Sequence, residues 1–157
     1  MNQKGLGMVE IIVVVALILV GFTAILQLFQ LQISTERIKR EELAAYALLS
    51  ETLEAVRSVR DSNWNNLSSL TIGADYYPVL QGGAWALTIT NPGPLDGYSK
   101  WLNLSSVQRD VNANIVPAGG SIDGDTLRVS AFVEWQSSGN TKTKNLTTYL
   151  TNWQGKL

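Results

Sequence analysis

Carboxylates at two places in this 157-residue chain are spaced so that chemistry could follow from them. The first is Glu10, in KGLGMVEIIVVVALILVGF, an apolar run of membrane length that the acid enters about one helical turn from its start. A charge there adds nothing to spanning a bilayer, and an ionisable group in such a segment points to function or to pairing. A helix-end acid that reaches back to the headgroups, favoured by the positive end of the helix dipole, explains its tolerance too. The second place is GGSIDGDTL, where Asp123 and Asp125 flank a glycine. Such a pair can open a calcium loop, but the further oxygens and closing Glu of an EF-hand are missing. A hairpin turn accounts for the same residues, so Asp123 and Asp125 are weak metal candidates and no metal is expected.

Other chemistry is excluded by composition. The chain has no histidine and no cysteine, which removes the usual proton shuttle, the commonest metal ligand, thiol catalysis and disulfides. No phosphate-binding glycine loop or paired-carboxylate motif is present, so neither an enzyme nor a cofactor is expected. Net charge is −1. Beyond residue 62, Lys100, Arg109, Arg128, Lys142, Lys144 and Lys156 are balanced by Asp75, Asp96, Asp110, Asp123, Asp125 and Glu134. Nucleic-acid binding is therefore not supported by charge, with Lys142 and Lys144 the one local cluster. The five tryptophans all lie beyond residue 63; they suit either a small core or a sugar-binding or adhesive surface.

The elements that hold these groups divide the chain. From Ile11 to Thr35 there is no charge, and the run exceeds the ~18–20 apolar residues that cross a bilayer. It is too long for a removable secretory signal, which has an apolar core of about 7–15 residues and a small-x-small site. No proline intervenes before Pro78, and no glycine between Gly21 and Gly73. Tyr46, Leu49, Leu53 and Val56 recur at spacings of three and four, with Ala45, Leu48 and Thr52 beside them, which marks an amphipathic stripe. The pattern predicts one helix from about Leu6 to Asn63, roughly 85 Å long at 1.5 Å per residue. Lys and Arg flank both ends of the apolar run, and the positive-inside rule leaves its orientation open.

After Trp64 the period changes to two. AWALTI, Tyr98–Arg109 and TLRVSAFVEWQ read as strands, the last with Leu127, Val129, Ala131, Val133 and Trp135 on one face. Phe132 is out of pattern among the polar set. SSGN then turns into the Thr-rich TKTKNLTTYLTNW, giving a hairpin. NPGPLDG and NIVPAGGSIDGD read as loops. The expected fold class is α+β: a long N-terminal helix, transmembrane in its first half and amphipathic in its second, packed through Tyr46, Leu49, Leu53 and Val56 on three to five mostly antiparallel strands.

Lys4-Gly5 followed by Leu6, Gly7, Met8, Val9, Glu10 and a long aliphatic helix resembles the class III signal of bacterial type IV pilins and type II secretion pseudopilins. The resemblance extends to AYALLSETLEAVRSVRDSNW, similar to the second helical half of minor pilins and smaller pseudopilins, and to VSAFVEWQSSGNTKTKNLTTYLTNW, similar to their closing hairpin. Residues 64–120 match only loosely. Leu6 and Gly7 stand where phenylalanine or methionine, and threonine, are commoner. The resemblance implies a pilin fold and cleavage between Gly5 and Leu6 by prepilin peptidase, followed by N-methylation of Leu6. It makes Glu10 the fifth mature residue, used in filament assembly. The implied organisation is a leader over 1–5, a transmembrane and filament-core helix over 6–33, its amphipathic continuation over 34–63, and a β-sheet domain over 64–157.

The function so implied is that of a structural subunit of a type IV pilus or pilus-like filament. Its partners would be other pilin subunits, prepilin peptidase, an inner-membrane assembly platform and, before assembly, the lipid bilayer. Its place would be the bacterial inner membrane, single-pass with a cytoplasmic N-terminus, and then a periplasmic or cell-surface filament. Absence of the two C-terminal cysteines common in major pilins favours a minor pilin or pseudopilin. A pseudopilin for type II secretion or DNA uptake is the alternative within the family. An uncleaved signal-anchored protein with an exported binding domain is the alternative outside it.

Overall fold

The structure, a computed structural model, describes residues 4–153 and 155, and only the backbone of residues 4–6. It is α+β. Helix α1 (Lys4–Ser62) is unbroken, as the absence of proline and of interior glycine beyond Gly21 allows. A short helix, α2 (Asn65–Ser68), follows, and then six strands: β1 (Asp75–Gln81), β2 (Ala84–Thr88), β3 (Tyr98–Arg109), β4 (Ile115–Val116), β5 (Ser121–Ser137) and β6 (Asn140–Thr151). They form one antiparallel sheet in the order β2-β1-β3-β5-β6, with β4 paired to the end of β3. The chain divides into two compact units, Met1–Glu41 and Glu42–Leu157.

Within the second unit, the helix from Glu42 onward packs on the sheet. Ala45, Leu49, Leu53, Val56 and Val59 meet Leu102, Leu104, Leu127, Val129, Ala131, Val133 and Trp135 in a single apolar core. The strand face read from Leu127 to Trp135 is buried throughout. Tyr46 is a correction to the expected packing row, because it remains 43% exposed. It lies one residue, about 100° of helix rotation, from Ala45, which is fully buried. The small side chain fits where the helix comes nearest the sheet, and the tyrosine ring is turned to the flank beneath Lys144, whose Nζ lies 5.7 Å from the ring centroid.

The sheet has more strands than its sequence pattern suggests. β1, DYYPVLQ, contains Pro78, which cannot donate a ladder hydrogen bond. Pro78 is tolerated because pairing of β1 to β3 is confined to Asp75↔Asn103 and Tyr76↔Leu102, leaving β2 as its one neighbour further along among the described residues. Tyr76 is buried, and its hydroxyl accepts from the Thr71 backbone N–H at 2.8 Å, tying down the preceding loop. The segment NIVPAGGSIDGD, expected as a loop, contributes β4 and the start of β5. Gly120 makes that approach possible: a Cβ there would meet the Arg109 carbonyl oxygen at 2.5 Å.

Candidate functional site

Glu10 lies on α1 between Val9 and Ile11, and its side chain is exposed. Met8, Val9, Ile11 and Ile12 around it are likewise exposed, as are the large apolar side chains that follow as far as Ile33. An 18-residue window of this helix reaches a mean hydropathy of 2.9 with none of it buried. By length and composition the stretch fits a single-pass membrane anchor. Glu10 makes no hydrogen bond or ion pair among the described residues. The backbone of Gly5 and Leu6 continues the helix four residues before Glu10, a rise of about 6 Å. The first part of the expected leader, Met1–Gln3, and the side chain of Leu6 lie outside the described residues.

Charge reappears at the far end of the apolar stretch as i,i+3 and i,i+4 pairs. Lys39 Nζ is 3.8 Å from Glu36 Oε1, and Arg37 Nε donates to Glu41 Oε1 at 3.0 Å. Within the second unit, two longer-range pairs join helix to sheet: Glu51 with Lys100 at 2.9 Å and Glu42 with Lys144 at 3.4 Å. Lys144, half of the cationic cluster, is thereby engaged by Glu42 and Tyr46.

Asp123 and Asp125 do not lie in a hairpin turn; they sit inside β5 where its register with β3 slips. Ser106 pairs with Leu127 but Val107 pairs with Asp123, so Gly124, Asp125 and Thr126 are passed over in a bulge. Arg109 Nε donates to Asp123 Oδ2 at 2.6 Å, and the Asp125 N–H donates to Asp123 Oδ1 at 2.9 Å. The Arg109 guanidinium, with the Thr126 hydroxyl second, holds the Asp123 carboxyl at about 2, well below its usual range. Asp125 Oδ1 accepts from the Asn152 side chain at 3.2 Å. The two acids thus stitch the bulge, and no group of three or more metal-ligating side chains occurs among the described residues.

The tryptophans divide between the core and the surface. Trp64 and Trp135 are buried, and Trp85 packs against the core edge. Trp153 is half exposed and donates from Nε1 to Asp61 at 3.3 Å. Trp101 is different: it points away from the helix, its ring stacked on that of Phe132 with centroids 5.5 Å apart and planes 12° apart. Phe132, out of pattern in the sequence, has its partner directly across the sheet, Trp101↔Phe132. No protein-family model, curated protein or solved structure matches this chain.

Proposed function

We propose that the chain is a structural subunit of a type IV pilus or pilus-like filament, matured by prepilin peptidase and assembled through its N-terminal helix. The observation that carries the reading is Glu10, an acid without a described partner on a fully exposed apolar helix, at a fixed distance from the Lys4-Gly5 pair. Cutting the Gly5–Leu6 bond creates an amine about 6 Å from the Glu10 carboxylate along the helix. Before assembly the subunit waits in the bilayer as a single-pass protein. In the filament, Glu10 of an incoming subunit pairs with the Leu6 amine of a neighbour. Each charge is costly alone among apolar helices; paired, they neutralise one another and set axial register. The α+β unit supports the same reading, since a helix that packs one face on a sheet can carry a folded domain outside the bilayer.

Mass spectrometry of the mature protein tests the processing step. The expected N-terminus is N-methyl-leucine at position 6, and a Gly5→Leu chain stays at full length. An intact Met1, or a start at another residue, overturns the reading in favour of an uncleaved signal anchor.

A further inference from the structure

The face of the sheet turned away from the helix carries a second candidate site, independent of filament assembly. β3 presents Ser99, Trp101, Asn103 and Ser105 there, opposite Glu134, Phe132, Ser130 and Arg128 of β5. β6 continues the face with Asn145, Thr147 and Tyr149, which pair with Phe132, Val129's neighbour Ser130, and Arg128 through registers Phe132↔Asn145, Ser130↔Thr147 and Arg128↔Tyr149. At one end lies a cleft of about 400 Å³ lined by Ser105, Ser106, Pro117, Arg128 and Tyr149. Arg128 is exposed and makes no hydrogen bond or ion pair among the described residues. Tyr149, 47% exposed, stands beside it.

We propose that this face binds a short oligosaccharide bearing a carboxylate, with the acidic sugar at the Arg128–Tyr149 cleft and further rings over Asn103, Ser130 and the Trp101–Phe132 stack. A guanidinium without a partner among the described residues has the forked donor geometry that a carboxylate takes up in two parallel hydrogen bonds. Hydroxyls and amides along the strip match the donors and acceptors of sugar rings. The aromatic pair offers apolar surface for their C–H faces. From Arg128 to Phe132 the strand runs about 13 Å, room for a short oligosaccharide rather than a single ring.

Charge chooses among ligands. Among the described residues the strip has one cation without a partner at one end, whereas Glu134 lies at the other and Asp75 stands opposite Asn103. That arrangement accepts one anionic group in one orientation. A nucleic acid would bring a phosphate at every step and needs several cations to meet them.

The test is calorimetry on the full chain in detergent micelles, with 3′-sialyllactose (a trisaccharide with one carboxylate, on its terminal ring), its methyl ester, inorganic phosphate and a ten-nucleotide single strand as probes. Sialyllactose is expected to bind saturably, and its uncharged ester at least about tenfold more weakly, as loss of a charged hydrogen-bonded contact implies. Arg128→Gln should bring the two affinities together, while Lys142→Gln should leave sialyllactose binding unchanged. Arg128→Lys, which keeps the charge but not the fork, should bind sialyllactose several-fold more weakly than the parent chain. Absence of saturable sialyllactose binding, an Arg128→Gln chain that binds it as well as the parent, or phosphate or the single strand binding as tightly as sialyllactose overturns the proposal.

Discussion

Arg109 Nε meets Asp123 Oδ2 at 2.6 Å at the point where β3 and β5 slip out of register. The pair replaces ladder hydrogen bonds that the bulge omits, and Arg109 also donates to the Ala113 carbonyl at 2.8 Å, holding the β3–β4 turn. Because the Asp123 carboxyl titrates at about 2 rather than its ordinary 3.8, its charged form is favoured by folding. That contribution is complete above about pH 4 and is lost as pH falls towards 2. Asp123→Asn should cost about 1–3 kcal/mol at pH 7. In urea unfolding followed by tryptophan fluorescence, the variant should also lose less stability than the parent between pH 4 and 2.5. Equal losses would detach the pair from stability.

The helix face can be tested by two neighbouring truncations. Leu49 is fully buried against the sheet, so Leu49→Ala should destabilise by about 2–5 kcal/mol, removing contacts and leaving a cavity. Tyr46, although in the same periodic row, lies at the edge beneath Lys144. Tyr46→Ala should cost no more than about 1 kcal/mol. Comparable losses in the two variants would put Tyr46 back in the core.

The turn between β5 and β6 gives a backbone test. Ser138 and Gly139 both have positive φ, 51° and 80°, the pattern of a two-residue turn that follows the twist of its strands. Gly139→Ala should therefore destabilise by about 1 kcal/mol, because an L side chain resists that conformation. Ser138→Asn should be neutral or slightly stabilising, since asparagine tolerates positive φ better than serine. Thermal melts of the two variants give the comparison directly.

These cases also show where the sequence was readable. Periodicity over long stretches carried α1, β3, the core face of β5 and the β5–β6 hairpin, because burial of one face repeats every 3.6 or 2 residues. It failed at β1, where Pro78 and adjacent tyrosines hide a strand that is paired on one side beyond Tyr76, which makes the proline acceptable. It failed again at Ser121–Asp125, where glycines that look like loop punctuation permit a close backbone approach and a bulge. Phe132 was visible as an exception to alternation, but its partner Trp101 is 31 positions away in the chain and only strand register brings them together. Glu10 stood out from the start, since an acid among so many aliphatic residues needs no fold to be noticed.

Glu10→Gln separates the maturation and assembly steps of the filament reading. Glutamine keeps the size and hydrogen-bonding shape of the side chain but cannot neutralise a neighbour's Leu6 amine. That amine would then be buried among apolar helices as an unpaired charge, which costs roughly 3–5 kcal/mol when one partner of a buried pair is removed. The Gly5–Leu6 bond lies four residues away and is untouched. Glu10→Gln chains should therefore reach the membrane fraction cut and N-methylated at Leu6, yet be depleted more than about tenfold from sheared, sedimented filaments, the factor such a penalty implies. Entry of Glu10→Gln into filaments at the parental level would remove the ion pair from assembly and leave Glu10 as an acid that simply reaches the headgroups.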